Sequence, residues 1–212
     1  MMNKYLTKAQ LYGEVEGIRQ RYSLPCPFDP FALARELKIE VLYRDFDSRK
    51  LCGALIRSQQ HTAIVLNEDH LPTSQKFTCS HELGHYFLHS DIAQFLCDGD
   101  LSPIEWQANA AAAELLMPYR IFLTQIKNVC SKPRFLCANP LLYLAQYFKV
   151  TPLLIKQRIN SLSYEIQQVL EGVPVDQVII LSENKRRLLG LPKGLSAEKL
   201  FPPVSIDIWK DD

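Results

Sequence analysis

The sequence His81-Glu82-Leu83-Gly84-His85 constrains this chain more than any other feature. On an α-helix, residues four apart lie about 40° apart around the axis and one turn along it, so both imidazoles point the same way. Glu82 is offset by about 100° from His81, which places its carboxylate beside the imidazole pair. Such a helix can hold one zinc ion through two neutral imidazoles and place a general base next to it.

The residues around this motif favour a buried helix. Phe77, Phe87 and Leu88 flank the histidines, so the pair would be half buried and costly to leave without a partner. Gly84 in a helix interior costs about 1 kcal/mol relative to alanine. A close approach by a metal, a substrate or another helix would explain that cost. The alternative is an amphipathic helix on which polar residues cluster by chance.

A third zinc ligand is expected from another helix, because catalytic zinc sites usually have three protein ligands. The next predicted helix offers Glu105 and Glu114, nine residues apart, so they face roughly opposite directions and only one can reach the site. Glu105 shares its face with Ala108 and Ala112, whose small side chains allow close helix packing. Asn109, one turn later, could hydrogen-bond a ligand imidazole. The pattern therefore favours Glu105 over Glu114.

Two residues near these motifs have a purely structural interpretation. Ser102-Pro103-Ile104-Glu105 matches a capping box, in which the glutamate returns to the amide of the capping residue instead of binding metal. His89 lies eight residues after His81, about 80° from the metal direction, and we interpret it as structural. A further donor to the reaction oxyanion is expected, with His70, Tyr119 and Tyr143 as candidates.

Two stretches of the sequence resemble a known family. The segment 75–89, which contains the histidine motif, resembles the signature of the ImmA/IrrE family of metallo-endopeptidases. The segments 105–109 and 112–118 resemble the family's second motif. The likeness directly covers about residues 64–118, and the segment 144–159 is similar to a helix pair that often follows.

The resemblance implies a set of residue roles. His81, His85 and Glu105 are expected to bind zinc, and Glu82 is expected to be the catalytic base. The implied fold is α+β, a minimal zincin with a small mixed sheet beside the metal-binding helices. Ala111 stands where the family commonly has phenylalanine, a departure that concerns packing. Family members typically relieve repression in bacteria and mobile elements by cutting or inactivating a DNA-binding repressor encoded nearby, so a protein substrate is expected.

Local sequence patterns predict the order of elements along the chain. The predicted helices are about 7–22, 31–37, 71–89, 102–117, 139–149 and 151–162, and the predicted strands are 39–43, 52–57, 62–66 and 175–181. We expect a zincin-like metallopeptidase domain over 1–130 and a helix-turn-helix-like segment over 131–164. Residues 165–212 are expected to form a C-terminal extension, partly disordered.

A competing function is a DNA-binding or metal-sensing regulatory protein that uses the helix-turn-helix-like segment. The formal net charge is +1, from 24 Lys plus Arg and 23 Asp plus Glu, which gives no general attraction to nucleic acid. Across residues 149–162 of that segment the basic residues are Lys149, Lys156 and Arg158, too few for strong phosphate contacts. Direct nucleic-acid binding is therefore not favoured.

The sequence also favours a cytoplasmic protein. The first residues lack the apolar region of a secretory signal, and no run approaches the roughly 18 apolar residues of a membrane span. The six cysteines are scattered without C-x-x-C spacing, which is typical of reduced thiols.

Overall fold

The computed structural model describes residues 5–46, 51–58, 60–89, 94–97, 102–131, 133 and 139–202. Over these residues the chain is α+β, as the sequence predicts. The helices are α1 (Lys8–Arg21), α2 (Pro30–Glu36), α3 (Pro72–Leu88), α4 (Pro103–Leu116), α5 (Tyr119–Cys130), α6 (Pro140–Phe148), α7 (Pro152–Ser161), α8 (Ser163–Leu170), α9 (Glu183–Leu188) and α10 (Ala197–Leu200). The strands are β1 (Glu40–Arg44), β2 (Gly53–Arg57), β3 (Thr62–Asn67) and β4 (Gln94–Cys97).

Side-chain caps explain where several helices begin. Thr7, Asp29, Ser102, Asn139 and Thr151 each accept a hydrogen bond from a backbone amide two or three residues later. The last four are followed directly by proline, whose fixed φ suits the first helical position. Each cap contributes about 1 kcal/mol. The predicted starts of α1, α2, α4, α6 and α7 are confirmed for this reason.

The four strands form one mixed sheet in the order β1-β3-β2-β4. β1 and β3 are parallel, whereas β2 pairs antiparallel with both β3 and β4. The turn between β2 and β3 is closed by the Ser58 amide, which donates to the His61 carbonyl at 2.8 Å. The first three strands match the prediction to within a residue or two. The edge strand β4 was not predicted, since it is only four residues long.

Helix α3 lies between the sheet and α4 and forms the centre of the core. Its side chains Cys79 and Leu83 are fully buried. At Gly84 the two helices nearly touch, since a Cβ there would lie 3.0 Å from the Ala108 carbonyl oxygen and 3.2 Å from the Ala111 Cβ. The close approach expected from Gly84 is therefore an approach by another helix. Ala111 is part of that contact, as its interpretation as a packing residue implies.

A buried charged cluster joins α7 to α1 and the end of α4. The Arg158 guanidinium donates to the Met117 carbonyl at 3.1 and 2.8 Å and to the Tyr12 hydroxyl at 2.8 Å, and it pairs with Glu114. Arg158 is one of the three basic residues counted for DNA contacts in the competing hypothesis, but its side chain is only 2% exposed. The reason is that the carbonyl at the end of α4 and the buried Glu114 carboxylate both need a donor.

The predicted strand at 175–181 is also wrong. The chain there forms a 3-10 turn, Val175–Gln177, and then runs extended without joining the sheet. The amide side chain of Gln168 bonds both the N–H and the carbonyl of Ile179 at 3.0 Å, and the Glu165 carboxylate accepts from the Leu181 amide at 3.2 Å. Side chains of α8 thus take the place of a partner strand.

Most of the predicted C-terminal extension is ordered structure. Helices α8 and α10 pack onto the preceding helices, and Ala197 is buried in the same apolar core as Leu144. Residues 203–212 of the extension lie outside the described residues. The division near residues 130 and 164 stays a prediction. None of the described helices is long and apolar enough to span a lipid bilayer.

Candidate metal centre

Helices α3 and α4 bring three potential metal ligands together. The Nε2 atoms of His81 and His85 lie 3.0 Å apart. The Oε2 atom of the Glu105 carboxylate lies 3.0 Å from the His81 Nε2, and its Oε1 atom lies 3.0 Å from the His85 Nε2. All three side chains are buried. Within the described part of the chain, these two histidines and this glutamate form a group that could hold a metal ion.

The spacing of these atoms fits a tetrahedral ion. Ligand atoms about 2.0–2.1 Å from a tetrahedral zinc ion lie roughly 3.3 Å from one another. The two Nε2 atoms are 3.0 Å apart, and each lies 3.0 Å from a different oxygen of the Glu105 carboxylate. A small adjustment therefore lets the two nitrogens and one of these oxygens reach that value. Two imidazole nitrogens and one carboxylate oxygen are also the donor types that zinc binds. The residues present therefore fit such an ion.

Asn109 orients the first ligand. Its Oδ1 lies 3.0 Å from the His81 Nδ1. A carboxamide oxygen can only accept a hydrogen bond, so the proton of a neutral His81 is on Nδ1. The lone pair of His81 is then on Nε2, which faces Glu105. The structure brings Asn109 to the position that the helical spacing predicts for it.

His89 is the corresponding neighbour of the second ligand. Its Nδ1 lies 3.0 Å from the His85 Nδ1. Burial lowers the pKa of His85, and burial together with the nearby His85 lowers the pKa of His89 to about 4. Both rings are therefore neutral at pH 7, and a proton on the His85 Nδ1 leaves the lone pair on its Nε2, as metal binding requires.

The interpretation of His89 as merely structural missed this contact. The angle of about 80° assumes that residue 89 is still helical, whereas α3 ends at Leu88 and His89 has φ −128° and ψ 55°. The signal that could have found it is the spacing of four residues from His85, which resembles the spacing within the histidine motif.

Glu82 has the electrostatic character expected of a reacting group. Its side chain is fully buried, and neither carboxylate oxygen has a hydrogen-bond partner among the described residues. Burial raises the pKa of Glu82 well above its ordinary value, and the negative charge of Glu105 raises it further. A buried carboxyl without a partner is costly, which a nearby cation and a hydrogen-bonding water would offset.

Glu105 is both a helix-cap residue and a ligand candidate. The Ser102 hydroxyl accepts from the Glu105 amide at 3.3 Å, as in a capping box. The Glu105 carboxylate, however, turns toward the two histidines. Burial by itself would raise the pKa of Glu105, but the imidazoles of His81 and His85 beside its carboxylate bring that pKa down to about 2. The carboxylate is therefore ionised and suited to a cation.

Two other candidates lie away from the ligands. Glu114 pairs with Arg158, so the structure does not bring it to the metal centre. Tyr119 stacks on Tyr12 with ring centroids 5.6 Å apart, next to the C-terminal end of α4. Glu105 is at the opposite end of that helix, whose 14 residues span roughly 20 Å. Tyr119 is therefore too distant to serve as the oxyanion donor, and His70 and Tyr143 stay candidates.

A cavity of about 800 Å³ lies on another face of α4. Trp106 and Asn109 border it on the side of α4, and residues of α7, α8 and the segment 181–186 border it elsewhere. The three ligand candidates do not line this cavity. Asn109 connects it to the metal centre, since the same side chain bonds His81.

Two histidines one helical turn apart, a carboxylate from the neighbouring helix and a buried glutamate define a centre of the metallopeptidase type. A profile of the IrrE N-terminal-like domain, Peptidase_M78, matches residues 34–160, more than half of the chain. This chain belongs to that family. The predicted relationship to the ImmA/IrrE family is thereby confirmed.

Comparison of the sequence with curated proteins gives no significant match. Among solved structures, the chain is similar to a Mycobacterium tuberculosis transcriptional regulator, with 17% sequence identity and a TM-score of 0.37. The match covers 76% of this chain and spans 43% of the length of the regulator.

Proposed function

We propose that this chain is a zinc-dependent metallo-endopeptidase that acts in the cytoplasm on a specific protein substrate. The observation that carries the proposal is the convergence of His81, His85 and Glu105 within 3.0 Å of one another, next to the buried carboxylate of Glu82. Membership of the Peptidase_M78 family supports a peptidase.

Zinc is the metal that this donor set favours. Two histidines and one glutamate, with a fourth position left for water or substrate, are typical of catalytic zinc sites. Bound zinc would act as a Lewis acid that polarises the scissile carbonyl and makes an attacking water more acidic. His81, His85 and Glu105 would hold it.

The other residues of the centre would manage protons and orientation. Glu82 would accept a proton from the attacking water on its carboxylate and later deliver it to the leaving amine. Its raised pKa fits a group that must hold a proton between those two steps. Asn109 and His89 would keep the Nδ1 atoms of the two histidines in hydrogen bonds, so that both Nε2 lone pairs face the metal.

The proposed substrate is a DNA-binding repressor of a mobile element or stress response, encoded near this chain. The resemblance to the ImmA/IrrE family motivates this choice. A cut in such a repressor would release the genes that it silences.

The competing function, regulation by direct DNA binding, is less well supported. Burial of Arg158 removes one of the three basic residues counted for the helix pair α6–α7. Lys156 is exposed, and Lys149 is in the left-handed conformation at the end of α6. Two lysines give few phosphate contacts. Tight DNA binding that weakens steeply with salt would favour the regulator instead.

Metal content and a single conservative substitution test the proposal. The purified chain should contain one zinc ion or take one up. Glu82→Gln should keep the metal and slow cleavage at least 100-fold, since general-base catalysis contributes about 10²–10⁴-fold. Glu68→Gln, an exposed residue before α3, is the matched control and should cleave like the parent.

The substrate assay is incubation with the repressor encoded beside this chain, with products identified by mass spectrometry. A discrete cut that depends on zinc and on Glu82 is the expected result. The proposal fails if the parent binds no zinc, or if Glu82→Gln cleaves as fast as the parent.

A further inference from the structure

Arg57, the last residue of β2, binds the C-terminal end of the helix that carries both histidine ligands. Its guanidinium donates to the carbonyls of His85 at 3.2 Å, Tyr86 at 2.6 Å and His89 at 2.8 Å. The guanidinium carbon also lies 5.2 Å from the centroid of the Tyr86 ring. The carbonyls at a helix end lack intrahelical partners and attract a cation. One side chain of the sheet thus fixes the last turn of α3.

This contact bears on the position of the His89 ring. Helix α3 ends at Leu88, and His89 has a non-helical backbone conformation. The helix alone therefore does not place the His89 ring beside His85. The bond from Arg57 to the His89 carbonyl constrains the backbone at the residue whose Nδ1 lies 3.0 Å from the Nδ1 of His85.

We propose that Arg57 is a positioning residue for the metal centre, acting through His89 on the ligand His85. Arg57 holds the turn at the end of α3, and the turn holds the His89 imidazole. The His89 imidazole keeps the hydrogen bond that orients His85 with its Nε2 toward Glu105. This inference rests on the metal site proposed above, and it adds a residue from the sheet to a site otherwise built from two helices.

The role requires arginine and not merely a positive charge. A guanidinium offers five N–H donors in one plane and can bond several carbonyls at once, whereas an ammonium is a compact point charge on a flexible stem. Arg57→Lys should therefore restore only part of the function that Arg57→Gln loses. Arg44, the last residue of β1, is exposed, and its guanidinium donates to the neighbouring Tyr43 carbonyl at 2.7 Å, so Arg44→Gln is a matched control.

A double-mutant cycle on zinc affinity tests the inference. Zinc dissociation constants are measured by competition with a chelating dye for the parent, Arg57→Gln, His89→Ala and the double variant. Each single substitution should weaken zinc binding about 10-fold or more, the range for residues that orient metal ligands. In the His89→Ala background, Arg57→Gln should weaken zinc binding by a clearly smaller factor than in the parent, because the route through His89 is gone and only the bonds to the His85 and Tyr86 carbonyls remain.

A purely structural Arg57 would give a different pattern. The inference is overturned if Arg57→Gln weakens zinc binding by the same factor in the parent and in the His89→Ala variant. It is also overturned if Arg57→Gln leaves the zinc affinity of both unchanged. If Arg57→Gln does not fold, the double-mutant cycle is measured with Arg57→Lys instead, and its effects on zinc affinity in the two backgrounds are compared in the same way. The visible absorption of the Co²⁺-substituted protein should change in Arg57→Gln and stay as in the parent for Arg44→Gln.

The same measurements separate this inference from the proposed function. If the parent binds no zinc, the metallopeptidase proposal itself fails. If the parent binds zinc and cleaves its substrate while Arg57→Gln retains parental affinity, only the positioning role is lost.

Discussion

Replacing Gly84 with alanine should weaken the contact between α3 and α4 on which the metal centre depends. The added Cβ would lie 3.0 Å from the Ala108 carbonyl oxygen and 3.2 Å from the Ala111 Cβ. Both separations are shorter than ordinary van der Waals contact. Because backbone atoms form part of this contact, the two helices must move apart by a few tenths of an ångström.

The magnitude follows from two opposing terms. Alanine in a helix interior is about 1 kcal/mol more favourable than glycine. Overpacking a filled core costs about 1–3 kcal/mol. Gly84→Ala should therefore lower the free energy of unfolding by about 0–2 kcal/mol. Gly13 in α1 provides the control, since a Cβ there meets nothing within 4 Å, and Gly13→Ala should stabilise the chain by about 1 kcal/mol.

Urea unfolding of the metal-free proteins measures both variants, with the free energies extrapolated linearly to water. The difference between the two alanine variants, about 1–3 kcal/mol, isolates the helix contact because the propensity gain cancels. Zinc affinity should fall in Gly84→Ala and not in Gly13→Ala, since Glu105 is on the displaced helix. Equal stabilisation by both substitutions would refute the argument that α3 and α4 touch at Gly84.

Three further predictions concern the centre and its supports. Asn109→Ala should weaken zinc binding about 10–100-fold in a chelator competition, because the imidazole that it orients loses its acceptor; unchanged affinity would contradict that role. Arg158→Met should lower the free energy of unfolding by about 3–5 kcal/mol in urea, because Glu114 is left as a buried charge without its partner; a loss below 1 kcal/mol would show that the pair is dispensable. Zinc at about 100 times its dissociation constant should raise the free energy of unfolding by about 2.7 kcal/mol, reversibly on adding a chelator, and an unchanged melting temperature would count against a folded-state site.

Much of the fold was predictable because the relevant signals are local. Caps such as Asp29 and Ser102 are followed by proline, and these pairs mark helix starts without any tertiary information. The spacing of Glu105 and Asn109 on one helix also suffices to place both side chains on the same face. The structure then brings that face against the histidines.

The rest depends on long-range contacts that a local pattern does not contain. The β-branched and apolar residues after Pro174 suggested a strand, but backbone groups of this segment bond to Gln168 and Glu165 of α8. Arg158 looked like a surface cation because nothing nearby in sequence pairs with it, whereas Glu114 is 44 residues away. The helices α5, α8, α9 and α10 were not predicted, and α9 and α10 have only six and four residues, too few to establish a periodicity.

The cluster around Arg158 has a consequence for how this protein can be divided. The Arg158 guanidinium donates to the carbonyl of Met117, at the C-terminal end of α4, the helix that carries Glu105. The family match ends two residues after Arg158, at residue 160. A fragment truncated near residue 130 would leave the Glu114 carboxylate and the Met117 carbonyl buried without those donors. A truncated chain designed as a minimal catalytic unit should therefore retain α7, since Arg158 of α7 completes the hydrogen bonds at the end of α4.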